Sequence, residues 1–212
     1  GEGSYGMIKT LANRNSGGHQ VVSKTFKHDD GLNSDIYREI SALRSLSNAQ
    51  NIIKLYDAKV NTSAKTIKMY LPKYPVTLSD VITNSRGTLG VDEIRAIVFS
   101  IVNGMCCMRN RNIYHRDLKP GNILTERNGT DLRIIDFGLS RFSDDTLDAI
   151  EAPFVKGMEG GPGPLPNQDP DIHEESKTTN IQTYWYRAPE IFLGQKRYDY
   201  AIDVWSVGVI ML

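Results

Sequence analysis

The sequence predicts an α+β fold, with a strand-rich first third that contains one helix and a mainly helical remainder. Apolar segments at 5–10 and 20–26 are short and lie beside glycine-containing stretches, which is typical of strands joined by turns. Residues 91–108 instead repeat apolar side chains every three or four positions, as one face of an amphipathic helix does. With 212 residues, 40% of them hydrophobic, the chain can bury a substantial core.

The periodicity also predicts the elements between and after these segments. They are a helix over 34–46, strands over 52–56 and 67–71, helical structure from about residue 76, and a short strand over 133–135. Residues 153–177 contain five prolines and four glycines. Such a composition does not readily form a packed core, so we expect a mobile loop there. Trp185 and Trp205 are expected to lie in the core.

Composition and charge exclude several classes of protein. The 25 basic and 25 acidic side chains give no net charge, which argues against nucleic acid or a membrane surface as the main partner. No run of 18 apolar residues predicts a membrane span. The two cysteines, Cys106 and Cys107, are adjacent and cannot form a disulfide framework, so we expect the cytoplasm or the nucleus. Because the chain begins at Gly1 without Met and stops at Leu212 within an apolar run, we also expect a fragment truncated at both ends.

A glycine-rich turn near the start of the chain suggests phosphate binding. Gly1, Gly3 and Gly6 fit the pattern G-x-G-x-x-G, in which glycines let backbone N–H groups approach phosphate oxygens. The pattern is weak alone, but strands on both sides disfavour a dinucleotide-binding fold and favour a turn that covers a nucleotide. Lys24 ends the next strand and Glu39 lies on the following helix, so we expect an ion pair that orients Lys24 towards phosphates.

The most specific signal is a series of four further motifs in a fixed order. The run from His115 to Asn122 reads H-R-D-L-K-P-G-N. It is followed by Asp-Phe-Gly at 136–138, Ala-Pro-Glu at 188–190 and Asp-Val-Trp at 203–205. One such match arises easily from turn-forming residues, whereas the ordered series does not.

These motifs make the chain resemble a eukaryotic protein kinase over nearly its whole length. The resemblance implies a bilobal kinase-like fold, in which residues 1–73 form a β-rich N-lobe with one helix and residues 74–212 form a mainly helical C-lobe. It also implies that ATP binds between the lobes and that residues 143–177 form a flexible insertion in the activation segment.

The same resemblance implies roles for the polar residues. Asp117 is expected to accept a proton from the substrate hydroxyl or to orient it, and Lys119 to steady the γ-phosphate. Asn122 and Asp136 offer the hard oxygen ligands that Mg²⁺ prefers. Thr183 is expected to bond both Asp117 and Lys119, as in serine/threonine enzymes.

The adenine of ATP is expected to lie against five further residues. The hinge carries Pro72, which lacks an N–H but keeps its carbonyl as an acceptor, and Tyr74, whose backbone N–H would donate to the ring. Ile8, Val22 and Leu124 would enclose the ring from above and below.

The helix at 31–40 and the segment at 183–190 place the chain near the cyclin-dependent kinases, and within them near those that activate other cyclin-dependent kinases. The resemblance implies protein substrates, including other cyclin-dependent kinases, and a cyclin partner. Two alternatives stay open: a MAP-kinase-like relative, and a pseudokinase that binds nucleotide and partner proteins without turnover. Gln182 stands where cyclin-dependent kinases carry a hydrophobic residue, so proline-directed specificity is not assigned.

Regulation by phosphorylation is the last implication of the resemblance. A phosphate in the activation segment would be bound by two arginines and would order the segment. The residues concerned are Arg38 and Arg116 as phosphate ligands, Thr178 or Thr179 as the acceptor, and Ser4 and Tyr5 as further, inhibitory sites.

Overall fold

A computed structural model of the chain describes residues 2–3, 6–11, 20–27, 34–142, 181–196 and 198–212. The predictions for Gly1, Ser4, Tyr5, Thr178, Thr179 and the segment 143–177 lie outside these ranges.

An antiparallel five-stranded sheet forms the first part of the molecule, and its strand order is β1-β2-β3-β5-β4. The strands are β1 (Glu2–Gly3), β2 (Gly6–Leu11), β3 (Val21–Lys27), β4 (Asp57–Asn61) and β5 (Thr66–Pro72). Helix α1 (Ser34–Ser45) contributes Ile36, Ile40 and Leu43 to the core. Its apolar side chains follow the helical period, which explains why it packs with this face inward.

The remainder is mainly helical, as predicted. Its helices are α2 (Leu78–Ser85), α3 (Val91–Arg109), α4 (Pro189–Phe192) and α5 (Ala201–Ile210). A three-stranded sheet combines β6 (Val76–Thr77), β8 (Ile123–Thr125) and β9 (Arg133–Ile134), and β7 (Ile113–Tyr114) pairs with β10 (Arg141–Phe142). Thr77 begins α2 with a capping box, in which its hydroxyl accepts from the N–H of Asp80 and the Asp80 carboxylate accepts from Thr77.

The long helix α3 packs on a narrower face than the sequence predicts. Its buried positions are Ile97, Ile101, Gly104 and Met108, whereas Val102, an apolar residue of the same predicted amphipathic segment, is exposed. A Cβ added to Gly104 would lie 2.8 Å from a methyl carbon of Ile134. The same Cβ would lie 3.3 Å from the backbone oxygen of Asn51, so a larger residue at this position would require the Ile134 methyl and the Asn51 backbone to shift.

Two other expectations are wrong. Residues 52–56 form no strand beyond an isolated bridge at Ile52, because Ile53 donates its N–H to the carbonyl of Ile134 on β9, and the chain reaches β5 of the five-stranded sheet only at Tyr56, whose N–H donates to Tyr70. Trp185 and Trp205 are 78% and 48% exposed, so neither is a core residue among the described residues. Within those residues, no helix is both long and apolar enough to cross a bilayer.

Candidate active site

The loop that carries Asp117 is held from below by a buried carboxylate on α5. Asp203 is 2% exposed and accepts the backbone N–H groups of His115 and Arg116 at 2.7 and 2.9 Å, one on each oxygen. Complete burial raises the pKa of the Asp203 carboxyl, while His115 and the two N–H bonds act in the opposite direction. Asp203 thus binds the loop through backbone N–H groups, and the Asp117 side chain is not involved in this attachment.

Asp117 is the centre of a network of four polar residues. Lys119 donates to one carboxylate oxygen at 2.8 Å, and the Asn122 amide donates to the same oxygen at 3.0 Å. Thr183 donates its backbone N–H and its hydroxyl to the other oxygen at 2.9 and 2.7 Å. Burial alone would raise the pKa of the Asp117 carboxyl, but the hydrogen bonds from Lys119 and Thr183 outweigh it and hold this pKa below its ordinary value.

The predicted ion pair between strand β3 and helix α1 is present. The Lys24 ammonium group lies 2.9 Å from both carboxylate oxygens of Glu39, and one oxygen of Asp136 is 3.9 Å from it. Burial raises the pKa of the Glu39 carboxyl more than the charge of Lys24 lowers it. Lys24 is therefore held by Glu39 at a position close to a second carboxylate, that of Asp136.

Two adjoining cavities, of about 380 and 400 Å³, contain the predicted site residues. The first is lined by seven of the ten residues predicted to hold the nucleotide, namely Ile8, Val22, Lys24, Glu39, Pro72, Tyr74 and Leu124. Asp117, Lys119 and Thr183 line the second. Glu39, Asn122 and Asp136 line both, so the two groups of residues meet at this point.

The residues at this junction fit a hard divalent cation. Asn122 uses its amide nitrogen to donate to Asp117, which leaves its amide oxygen as a ligand, and Asp136 adds a carboxylate. In the described part of the chain, no group of three or more His, Cys, Asp or Glu is arranged to hold a metal ion. A cation held here would therefore depend on the mixed amide and carboxylate pair.

A comparison of the sequence with models of known protein families identifies the family of this chain. The family model described as a protein kinase domain matches residues 1–212. The chain belongs to the protein kinase family. The predicted resemblance and the α+β fold are both confirmed. A protein kinase domain implies ATP and a divalent metal, typically Mg²⁺.

Curated relatives of this kinase domain are cyclin-dependent kinases or similar enzymes. It is 31% identical to a probable cyclin-dependent kinase 8 of Dictyostelium discoideum over 99% of the chain and 51% of that protein. It is 32% identical to cyclin-dependent kinase B2-1 of Arabidopsis thaliana over 99% of the chain and 61% of that protein. It is 30% identical to a probable CTD kinase subunit alpha homolog of Encephalitozoon cuniculi, covering all of the chain and 54% of that protein. The chain thus spans about half the length of the curated relatives it matches.

In the kinase domain, Arg141 lies close enough to Arg116 for their charges to interact, as does Arg38, and Arg38 and Arg116 are the two arginines predicted to bind phosphate. Arg116 donates to the carbonyl of Leu139 and to the hydroxyl of Tyr198. Burial lowers the pKa of the Arg116 guanidinium group, and the nearby charges of Arg38 and Arg141 lower it further. Sequence reasoning missed Arg141, although a basic residue three positions after Gly138 was a usable signal. The predicted acceptor threonines lie outside the described residues.

The hinge of the kinase domain carries a polar cluster that the sequence did not predict. The Tyr74 hydroxyl donates to Asp131 at 2.9 Å and accepts from Arg133 at 3.0 Å, and Arg133 also contacts Asp131. Burial and the bond to Asp131 raise the pKa of Tyr74 to about 12. The cluster joins the hinge to β9, which leads directly to Asp136.

Gln182 of the kinase domain is turned into the protein. Its side chain is 5% exposed and makes hydrogen bonds to α5 and to the backbone of Ala188. The polar side chain therefore contributes no exposed surface at the position where cyclin-dependent kinases carry a hydrophobic residue.

Proposed function

We propose that the protein is an ATP- and Mg²⁺-dependent serine/threonine kinase of the cyclin-dependent type that acts in cell-cycle or transcription control. The observation that carries this proposal is the network in which Lys119 and Thr183 orient the two oxygens of Asp117. Family membership and the names of the relatives support it independently.

The reaction needs a base, a positive charge and a place for the nucleotide. An aspartate carboxyl is ionised at neutral pH, and Lys119 and Thr183 lower the pKa of Asp117 further, so it can accept a hydrogen bond from a serine or threonine hydroxyl and take up its proton as the γ-phosphate is transferred. Lys119, whose ammonium group lies 2.8 Å from Asp117, would steady the negative charge of the γ-phosphate. When bound, Mg²⁺ neutralises phosphate charge, and Asn122 and Asp136 are the residues that would hold it.

The names of the relatives support an inference about the partners of the whole protein. Two of them are named cyclin-dependent kinases and one is named a subunit of a CTD kinase. We infer protein substrates, including other cyclin-dependent kinases, and a cyclin partner, in the cytoplasm or the nucleus. Phosphorylation at Thr178 or Thr179 would regulate the enzyme, with Arg38 and Arg116 as the phosphate ligands.

The experiment that tests this proposal uses the full-length protein and Mg-ATP. An inactive cyclin-dependent kinase and a general serine/threonine peptide serve as acceptors, each with and without cyclins. Labelling of the inactive kinase at a threonine of its activation segment, lost in Asp117→Asn, is the expected result. ATP binding without transfer to either acceptor in any combination would contradict the proposal and favour a scaffold.

A further inference from the structure

The side chain of Gln182 uses all of its polar atoms inside the protein. Its amide nitrogen donates to the carbonyl of Ile202 and to the hydroxyl of Ser206, both at 2.9 Å. Its amide oxygen accepts the backbone N–H of Ala188 at 3.0 Å. A buried amide that satisfies its donors and its acceptor in three directions has a single favourable orientation, because an unmade hydrogen bond in this environment is costly.

The backbone of Gln182 is equally constrained and adopts a conformation that is unfavourable for its residue type. Its φ of 61° lies in the left-handed region, which residues other than glycine seldom adopt. Its N–H donates to the carbonyl of Arg116 and its carbonyl accepts from the Arg187 guanidinium group, both at 3.0 Å. A conformation of this kind persists only where surrounding contacts over-determine it, and at Gln182 these contacts are the bonds to Arg116 and Arg187.

These contacts connect Gln182 to both segments that hold the base. Gln182 immediately precedes Thr183, which bonds Asp117 through its N–H and hydroxyl. Its backbone N–H bonds to Arg116, which immediately precedes Asp117.

Helix α5 bonds both to Gln182 and to the loop that carries Asp117. Ile202 and Ser206 accept hydrogen bonds from the Gln182 amide nitrogen. Asp203, which lies between them in sequence, accepts the backbone N–H groups of His115 and Arg116. One turn of α5 therefore fixes the loop of Asp117 and the segment of Thr183 relative to each other.

We propose that Gln182 is a positioning residue for the phosphoryl transfer, which acts through Thr183 on the orientation of the Asp117 carboxylate. The inference rests on the proposed kinase activity. The Gln182 amide attaches the Thr183 segment to α5, and Asp203 attaches the catalytic loop to the same helix. This shared attachment allows both Thr183 donors to reach one oxygen of Asp117. A purely structural amide would affect the folded fraction and leave the turnover of the folded enzyme unchanged.

The test compares Gln182→Met in the full-length protein with Gln195→Met, the same change at an exposed glutamine. Methionine has a similar length but cannot make the three hydrogen bonds. Values of kcat, KM for ATP and KM for the peptide are measured per mole of folded enzyme. We expect Gln182→Met to lower kcat about tenfold, with the KM for ATP within about twofold, because a displaced Thr183 loses one of its hydrogen bonds to Asp117 and one such bond corresponds to about this factor in rate. Gln195→Met is expected to change neither value.

A double-mutant cycle separates positioning from stability. If Gln182 acts through Thr183, the kcat losses of Gln182→Met and Thr183→Ala are smaller in combination than their product, while their effects on thermal unfolding add. Losses of kcat that multiply fully would overturn the inference. If Gln182→Met does not fold, Ser206→Ala removes one acceptor of the amide and is expected to lower kcat about threefold.

The outcomes also distinguish this inference from the proposed function. Wild-type transfer with an unchanged kcat in Gln182→Met, or in Ser206→Ala if that variant replaces it, overturns the positioning role alone. A folded wild type that binds ATP but transfers no phosphate overturns both.

Discussion

Thr183 directs its backbone N–H and its hydroxyl to the same carboxylate oxygen of Asp117, at 2.9 and 2.7 Å. The hydroxyl accepts in turn from Lys119 at 2.7 Å. Because Lys119 also donates to the second oxygen of Asp117, the three side chains form a closed ring of hydrogen bonds. The ring connects two segments that are 66 residues apart in the chain.

Removing the Thr183 hydroxyl tests how this ring holds the base ionised. Burial raises the pKa of Asp117 and the bonds from Lys119 and Thr183 lower it to below its ordinary value of 3.8, so loss of one bond raises it. Thr183→Ala is expected to lower kcat about tenfold and to move the acid limb of the pH–kcat profile to higher pH. Thr183→Ser keeps the hydroxyl and should keep the wild-type profile. An acid limb that does not move in Thr183→Ala would contradict this assignment.

The lowered pKa of Asp117 also makes its contribution to the free energy of unfolding depend on pH. Its folded-state pKa is depressed, so its contribution is present above the unfolded pKa of about 3.9 and is lost as the pH falls through the folded value. Thermal unfolding between pH 3 and pH 5 should therefore show a steeper loss of stability in the wild type than in Thr183→Ala.

Neutralising Glu39 is expected to reduce activity and to spare stability. Burial raises the pKa of Glu39 despite the charge of Lys24, so an uncharged glutamine of the same shape avoids that cost. Lys24 then loses its two-oxygen partner and moves towards Asp136, 3.9 Å away. We expect Glu39→Gln to lower kcat/KM for ATP about tenfold or more, with a Tm within a few degrees of the wild type.

The matched control is Glu93→Gln, at an exposed position near the start of α3. It makes the same chemical change away from Lys24 and should leave kcat/KM unchanged. A Glu39→Gln enzyme with wild-type kcat/KM would show that the ion pair does not position Lys24.

Asp203 is expected to be a stability determinant of the catalytic loop. An asparagine offers one oxygen where the carboxylate offers two, so one of the N–H groups of His115 and Arg116 loses its acceptor and meets an amide N–H instead. Asp203→Asn should lower the free energy of unfolding by roughly 1–3 kcal/mol. A calorimetric scan beside Asp199→Asn, an exposed carboxylate at the start of the same helix, measures the difference in Tm. Equal Tm values for the two variants would contradict the prediction.

The Tyr74 cluster gives a prediction at high pH. Its folded-state pKa of about 12 exceeds the ordinary value of 10.0, so the stabilisation is complete below pH 10 and is lost as the pH rises towards 12. Tyr74→Phe should cost about 1 kcal/mol at neutral pH and should remove this dependence. Tyr56→Phe, at a side chain that is 45% exposed, is the control. A loss of stability between pH 10 and pH 12 that persists unchanged in Tyr74→Phe would exclude the cluster as its cause.

Contacts within a motif, or between a strand and the helix that follows it, were accessible from the sequence. Asp117, Lys119 and Asn122 lie within six positions and meet as expected. The Lys24–Glu39 pair spans a strand and the next helix and is also present. In both cases the order of the elements brings the residues together with little dependence on the rest of the fold.

Contacts between distant segments that no motif indicates were not accessible, whereas the bonds of Thr183 to Asp117 and Lys119 were predicted through the resemblance to protein kinases. Tyr74 and Asp131 are separated by 57 positions, and no periodicity or motif connects a hinge tyrosine with a residue before β9. The inward orientation of Gln182 depends on acceptors that α5 supplies about 20 positions later. Hydrophobicity alone also could not tell that Trp185 is exposed, because it indicates a preference for burial and not the presence of a neighbour.

The central claim is that Asp117 acts as the base of a phosphoryl transfer, and single-turnover transfer of labelled γ-phosphate tests it most directly. The full-length wild type and Asp117→Asn are loaded with Mg-ATP and mixed with a serine/threonine acceptor peptide. The account predicts transfer by the wild type and a rate at least about a hundredfold lower in Asp117→Asn, with ATP affinity unchanged. Equal rates in the two proteins, or no transfer by a wild type that binds ATP, would contradict it.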